Sequence, residues 1–406
     1  MNKPLAGIKV VELSTFVAGP VSARLLSDLG AEVIKIERPE GDTWRLTGVS
    51  YIPDRFCEDE NPIFDIYNAG KKHIALNLKD PAGMEVLHRL LAEADVFITN
   101  TRPKALKRLG LSYEDIKDKY PSLIYAILLG YGENGPEADK PAFDTSAFWA
   151  KSGFLRDLAL KQENYTPVQP PYSMGDTITG YMLLAQICAA LYRKKETGLG
   201  DYVRAGLYHT AIFTMGTMAI YTQPPFGYTG YPTDRESRAD PSGEYQCGDG
   251  EWVFLSGYSA AMLSRLYTLL GREDILEDPR FDTPEHRLAN AYAYIGELQK
   301  AFKTQPAAHW LARAEEMDLP MIRMGHFSDI ATDEQAWANG YLEHVEFRSG
   351  NVDVMPRSPI EMDSVGELVT VPAPSAGADS AEILKKLGYT DAQLEQMQAS
   401  GAVRID

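Results

Sequence analysis

Short apolar runs alternate with helical spacing from the start of the chain. Ile8 to Leu13 and Glu32 to Glu37, the latter dominated by Val33, Ile34 and Ile36, carry strand-like runs, and Gly19 to Leu29 between them carries a helical pattern. Strand, helix and strand in that order predict a βαβ unit. The pattern recurs with a strand at Ile74 to Leu78, a helix at Pro81 to Ala94, and strands at Val96 to Thr99 and Leu123 to Leu129. Such alternation predicts an α/β fold built on a largely parallel, doubly wound sheet. After Asp176 a helix follows, with apolar Ile178, Tyr181, Met182, Leu184, Ala185, Ala189 and Leu191. It ends in Arg193, Lys194 and Lys195 ahead of Gly198, a placement of cations that suits the helix dipole.

The regularity stops between Thr222 and Gly243, a stretch rich in Pro, Gly, Tyr and charge that reads as a linker or lid. Beyond it, Glu244 to Cys247 and Glu251 to Ser256 flank Gly248-Asp249-Gly250, a hairpin signal. Helical patterns run on to about Glu316, an extended run covers Val345 to Phe347, and a polar helix lies near Asp379 to Leu387. The expected division is a large domain over 1–221, a linker or lid over 222–243, a smaller α+β domain over 244–325, and a return of 326–406 to the large domain.

A chain of 406 residues is long enough for two such domains. Its net charge of −17 changes the functional picture, because the chain as a whole repels nucleic acid and anionic membranes. An anionic substrate then needs a local basic site. The three cysteines, Cys57, Cys188 and Cys247, are too few and too scattered for a disulfide framework or a metal site. Met1 to Gly7 lacks the charged and apolar succession of a secretory signal. The longest apolar region, Ile178 to Tyr192, is broken by Thr179 and Gln186 and falls short of the ~20 residues of a membrane span. The cytoplasm is the expected compartment, with no membrane or nucleic-acid partner.

Candidate chemistry begins at Ala18-Gly19-Pro20, a turn that follows the first strand and opens the first helix. Amides and dipole there can face a phosphate, or the turn can simply start a helix, since Pro suits the first helical position. No dinucleotide-binding glycine pattern or P-loop is present. Basic residues gather at Lys35 and Arg38, at Lys71, Lys72 and Lys79, and at Arg102, Lys104, Lys107 and Arg108. Each alone reads as solvated surface, but grouped near strand ends in an acidic protein they suggest a polyphosphate pocket. Asp176, in Ser173-Met174-Gly175-Asp176-Thr177, sits where a helix N-cap belongs; capping and catalysis are both compatible with that place. Gly175 would let a bulky thioester approach. His209 and the other histidines lack metal-ligand spacing, and no Gly-x-Ser-x-Gly elbow appears.

The opening Pro4-Leu5-Ala6-Gly7-Ile8-Lys9-Val10-Val11-Glu12-Leu13, through Ala18-Gly19-Pro20 to Leu29-Gly30-Ala31-Glu32-Val33-Ile34-Lys35-Ile36-Glu37, resembles that of family III CoA-transferases. The likeness continues through Tyr67-Asn68-Ala69-Gly70-Lys71-Lys72, Asn100-Thr101-Arg102-Pro103, Arg108-Leu109-Gly110 and Glu196-Thr197-Gly198-Leu199-Gly200 to Leu387-Gly388-Tyr389. The resemblance implies a Rossmann-like large domain, a small domain and an interlocked homodimer. It implies Asp176 as the nucleophile and coenzyme A contacts at Val17, Ala18, Arg38, Leu76, Lys79, Asn100, Thr101, Arg102 and Arg108, with Phe143 and Asp144 beside the thioester. No metal or tightly bound cofactor is implied, coenzyme A thioesters being substrates.

Two departures stand out. Asp234-Arg235-Glu236-Ser237-Arg238 occupies the region of a mobile glycine-rich loop in some members, and Gly377-Ala378-Asp379-Ser380 replaces a Gly-Glu-His-Thr-like turn. Phe143-Asp144-Thr145-Ser146-Ala147-Phe148-Trp149 and the acidic insert Asp54 to Glu60 are most similar to the branch acting on (R)-2-hydroxy acids, with donors such as cinnamoyl-CoA or isocaprenoyl-CoA and a 2-hydroxyacyl-CoA dehydratase as companion. Phe143, Phe148 and Trp149, with the aromatic residues of 222–243, can line an acyl pocket or simply pack a core. Two competitors remain. A 2-methylacyl-CoA racemase of the same superfamily pairs its aspartate with a histidine, where this chain has Phe143, which cannot carry a proton. A non-catalytic acyl-CoA-binding subunit would not need Asp176.

Overall fold

The computed structural model describes residues 3–47, 60–157, 170–226, 239–256 and 260–406. Along the chain run β1 (Lys9–Leu13), α1 (Ala18–Asp28), β2 (Glu32–Glu37), α2 (Thr43–Thr47), α3 (Pro62–Asn68), β3 (Lys72–Leu76), α4 (Pro81–Glu93), β4 (Val96–Thr99) and α5 (Pro103–Leu109). There follow α6 (Tyr113–Ile116), β5 (Ile124–Leu129), a π-helical turn at Asp144–Ala150, α7 (Phe154–Asp157), α8 (Met174–Thr197), β6 (Tyr202–Gly206) and α9 (Leu207–Thr214). The strands near the N-terminus fall where the apolar runs put them, except β3. It begins two residues before the expected Ile74 and ends at Leu76, because Lys72 pairs with Ile34 in register and Asn77 already turns away.

Two compact units form, one from 1–154, 170–216 and 331–406, the other built chiefly from 217–330. In the first, seven strands lie in the order β12-β3-β2-β1-β4-β5-β6, where β12 is the C-terminal Val403–Arg404. All pairs are parallel except β12 on β3. The order 3-2-1-4-5-6 reverses direction between β1 and β4, and ligands of such sheets bind beyond the carboxyl ends of the strands at that switch. One face is apolar: Val11, Ile36, Ile74, Phe97, Tyr125 and Ile127 share a core with Val86, Leu87, Leu90 and Leu91 of α4. The other face, toward α1 and α3, places Glu12, Lys35, Glu37 and His73 in the interior.

In the second unit, β7 (Gly243–Gln246) and β8 (Trp252–Leu255) form the expected hairpin, and β9 (Met321–Arg323) adds to it. Its core holds Tyr245, Tyr267, Tyr294, Phe302 and Trp310, with the Tyr267 and Tyr294 hydroxyls 2.7 Å apart. The first unit also contains a separate hairpin of β10 (Leu342–Glu346) and β11 (Val352–Pro356). The inserts at 54–59 and 227–238, which include the departure at Asp234, lie outside the described residues.

α8 is longer than its apolar run suggested: at 24 residues it is long and apolar enough, by length and composition alone, to cross a membrane, which corrects the expectation that this region is too short. In the folded unit it packs on α1, β5 and β6. The approach to α1 is close: a Cβ on Gly180 would lie 2.1 Å from Val21 Cγ1 and 2.8 Å from the Ala18 carbonyl. Gly180→Ala is therefore expected to lower stability by ~1–3 kcal/mol through overpacking. A urea midpoint equal to the parent's would show that the two helices are not held at this spacing.

Candidate active site

Phe16 has φ of 64°, a left-handed conformation that costs a bulky residue ~1–3 kcal/mol. It sits in the loop between β1 and α1, whose Thr15, Phe16 and Ala18 line a cavity of about 260 Å³ together with Asn100, Arg102, Phe143 and Asp176. A second cavity, of about 770 Å³, adjoins it through Thr15 and is lined by Arg38, Leu76, Lys79 and Thr101 among others. Arg102 also borders a third, of about 250 Å³, with Lys104, Arg108 and Asp139. All three lie at the carboxyl ends of β1 to β5, around the switch point.

Ten of the twelve expected site residues thus come together along these cavities. Val17 and Asp144 do not line them. Val17 is buried, backbone included. Asp144 lies under Gly175, where a Cβ would come within 2.3 Å of its Oδ1 and of Phe148 Cγ. Glycine is needed there for carboxylate and ring to approach the helix.

Asp176 is not the helix N-cap. That position belongs to Ser173, held at φ 70°, so the helix starts earlier than expected and Asp176 occupies its third residue, projecting to the cavity. Burial pushes its pKa up to about 7, and the neighbouring Asp144 carboxylate adds to the rise. Asp144 is itself raised by burial; nearby N–H groups of Trp149, Ser173, Asp176 and Gly175 draw it back down without any reaching hydrogen-bond geometry. The helix dipole favours an ionised group at this end, but desolvation outweighs it.

The basic cluster divides. Arg38, Lys79, Arg102, Lys104 and Arg108 border the cavities, whereas Lys35 and Lys71 are fully buried beneath them and paired with Glu12. Lys72 pairs with Glu32 and Glu382, and Lys107 with Asp115. Phe148 and Trp149 are core residues, stacked around Phe154, so of the three aromatic side chains expected in an acyl pocket only Phe143 reaches the cavity.

Sequence reasoning missed an aromatic row beside it. Phe143 meets Phe16 edge-on at 5.5 Å, Phe16 lies 6.0 Å from Trp44, and Trp44 lies 6.4 Å from Tyr67. The Tyr67 hydroxyl neighbours Ser173, Thr177 and Asp176. No local pattern marks these rings, because they come from separate loops and helices.

Residues 5–380 match the CoA-transferase family III. The chain belongs to that family. It is 39% identical to the (R)-2-hydroxy-4-methylpentanoate CoA-transferase of Clostridioides difficile, over 98% of this chain and 99% of the relative. It is 37% identical to the cinnamoyl-CoA:phenyllactate CoA-transferase of Clostridium sporogenes, over 98% and 97%. A solved CAIB/BAIF family protein of Brucella suis superposes with a TM-score of 0.81 at 29% identity, covering 95% of this chain and all of that one. The protein is thus an enzyme, a family III CoA-transferase, with the mixed α/β fold and large, mainly parallel sheet of such proteins.

Two pH effects follow for this CoA-transferase. If Asp176 must be ionised to react, kcat/KM should fall with decreasing pH around the carboxyl's pKa of about 7. Asp144→Asn removes the charge that helps raise that pKa and should move this limb to lower pH; an unmoved limb would separate the two carboxyls. A raised carboxyl pKa also stabilises the fold below the unfolded value of about 4, and this contribution is lost as pH rises through the folded value. Asp176→Asn should therefore melt higher than the parent above neutral pH and level with it in acid. Equal melting temperatures across the range would contradict the burial of this charge.

Proposed function

We propose that this CoA-transferase moves coenzyme A from an aryl- or isoalkyl-acyl-CoA to an (R)-2-hydroxy acid, with Asp176 as covalent relay. The observation that carries the proposal is a mostly buried carboxylate opening onto a cavity between aromatic Phe16 and Phe143 and basic Arg102. The two relatives named for 2-hydroxy-4-methylpentanoate and phenyllactate support the substrate class.

A thioester and a carboxylate exchange partners through a covalent intermediate. Asp176 attacks the donor carbonyl, giving a mixed anhydride and the coenzyme A thiolate. The thiolate returns to the Asp176 carbonyl, making an aspartyl-CoA thioester and releasing the donor's acid. The acceptor carboxylate attacks that thioester, forming a second anhydride and freeing the thiolate again. The thiolate then attacks the acceptor carbonyl, which yields the new acyl-CoA and restores Asp176. Each attack develops an oxyanion, whose stabilisation we assign to backbone amides near Val17 or Gly175.

The coenzyme's phosphates would lie toward Arg38, Lys79, Arg102 and Arg108, which border adjoining cavities. Val17, Ala18, Leu76, Asn100 and Thr101 complete that seat, with the thioester end toward Phe143. The proposal extends to an interlocked homodimer, supported by exposed apolar Tyr181, Met182, Ile212 and Phe213 on α8 and α9. It further includes division into a 1–221 domain with a 326–406 return and a 244–325 domain, a cytoplasmic setting in amino acid fermentation, and a dehydratase that consumes the product.

An acceptor panel tests the substrate class. Phenyllactate and 2-hydroxy-4-methylpentanoate should be used in preference to oxalate and carnitine; the reverse order would sink the 2-hydroxy acid assignment. Arg38→Ala and Arg108→Ala should each raise KM for the acyl-CoA by a loss of roughly 1.5–3 kcal/mol of charge-assisted bonding, with acceptor KM unchanged. Parent-like donor KM in both variants would place the phosphates elsewhere.

A further inference from the structure

Beneath the β1–α1 loop lies a set of charges that the transfer chemistry does not use. Glu12 and Lys35 face each other as register partners on β1 and β2. Lys35 Nζ lies 3.2 Å from Glu12 Oε1 and 3.0 Å from Asp42 Oδ2, and Lys71 Nζ lies 2.7 Å from Glu12 Oε2. The Glu12, Lys35, Asp42 and Lys71 side chains have no solvent exposure. Lys35 also reaches the loop, and Lys71 the first turn of α1 just after it. Lys35 donates to the Ser14 carbonyl at 2.9 Å, and Lys71 donates to the Pro20 carbonyl at 2.9 Å and to Asn68 Oδ1 at 3.1 Å. With three N–H groups on an ammonium, both are fully engaged.

The same charges fix the rest of the loop. Ser14 Oγ donates to Glu12 at 2.7 Å, and the Phe16 amide points to Asp42 Oδ1 at 3.4 Å. From the other side, Asn100 bonds both the amide and the carbonyl of Thr15, at 3.0 and 2.7 Å. Tethers thus bracket Phe16, which persists in its left-handed conformation because the surroundings over-determine it.

Stability alone does not account for such a network. Desolvating four charges costs several kcal/mol per ion, and well-packed apolar residues of similar volume often do as well or better. What apolar residues cannot do is donate to the Ser14 and Pro20 carbonyls. The loop and helix start so held contribute Thr15, Phe16 and Ala18 to the cavity around Asp176, and the Ala18 carbonyl lies in tight contact with α8 at Gly180. A shift of the loop is therefore a shift of the cavity wall relative to the reacting carboxylate, and misplacement by about 1 Å can cost a hundredfold in rate.

We propose that Lys35 and Lys71 are positioning residues for the transfer reaction, acting through the Ser14 and Pro20 carbonyls to hold the loop at the geometry the Asp176 cavity requires. The inference rests on the reading of Asp176 as nucleophile.

The test uses a charge-balanced double variant, Lys71→Met with Glu12→Gln, which leaves the Lys35–Asp42 ion pair in place. The expected result is a melting temperature near the parent's, kcat lower by about tenfold or more, and Kd for free coenzyme A within about threefold. Hydrogen exchange in the peptide spanning 14–20 should be faster, with the rest of the chain unchanged. Lys71→Gln with Glu12→Gln, which restores an N–H donor, should recover part of the kcat. A folded Met variant with parent-like kcat and exchange would overturn the proposal. Should that variant fail to fold, Gly19→Ala decides. Its Cβ would lie 2.6 Å from Ser14 Cβ and Oγ, displacing the loop with every charge intact, so a comparable loss of kcat supports the proposal and full kcat refutes it. The two readings fail differently. Residual turnover in Asp176→Ala overturns the nucleophile whatever the lysine variants do, whereas an inactive Asp176→Ala beside a parent-like lysine variant overturns positioning alone.

Discussion

Two ammonium groups without access to water must each find three acceptors, and that requirement organises the catalytic half of this enzyme. Lys35 and Lys71 meet it with Glu12, Asp42, Asn68 and the carbonyls of Ser14 and Pro20. The β1–α1 loop is therefore bonded into the sheet. Burial pulls the Lys71 pKa down while its Glu12 partner holds the proton on it, and the Glu12 carboxyl, between the two ammonium groups, is drawn down to about 2 despite desolvation. A neighbouring trio continues the pattern. Glu37 accepts from Arg45 at 2.8 and 2.9 Å and from the Asp42 amide at 2.7 Å, and His73 Nδ1 lies 2.6 Å away. Arg45 and His73 hold the Glu37 carboxyl well below its usual range. The Asp42 turn, and with it one wall of the larger cavity, is fixed from below.

Above this floor the carboxylate proposed as nucleophile is treated differently. Asp176 has no cation among the groups that shift its pKa; burial and Asp144 both raise it. A carboxylate left unpaired and poorly hydrated is a stronger base and nucleophile than one held by an arginine. The same burial makes ionisation costly to the fold, a tension common to reactive groups. Asp65 shows that raised carboxyls are not confined to the site. Burial lifts it to about 7 as well, and its Oδ1 accepts from the Ala373 amide at 2.8 Å, yet it lines none of the cavities described above.

Much of this was legible in the sequence. Short apolar runs in Val10-Val11-Glu12-Leu13 and Val33-Ile34-Lys35-Ile36-Glu37 gave the strands, and helical spacing gave α1, α4 and α8. Those runs also carried an unread message, since Glu12, Lys35 and Glu37 lie on a single face of the sheet. Lys35 alone was grouped with the basic residues, each of which reads as surface because charged residues are usually outside; only the pairing of β1 with β2 brings Glu12 opposite Lys35. Asp176 stood out through the family resemblance, its own surroundings leaving capping and catalysis both open, and its neighbours in space were not foreseen. A left-handed Ser173 moved the helix start, and the contacts of Phe16, Trp44 and Tyr67 join segments with no shared local pattern. Strand β12, only Val403–Arg404, was too short to signal and forms because β3 offers an open edge.

The central claim is that coenzyme A passes through a covalent link to Asp176. The direct measurement is peptide mass spectrometry of enzyme incubated with an acyl-CoA donor and quenched with hydroxylamine, which converts an activated carboxyl to a hydroxamate. The account requires the hydroxamate on the peptide containing Asp176, dependent on donor. Modification confined to any other carboxylate, or a transferase that turns over with no trapped carboxyl, would contradict it.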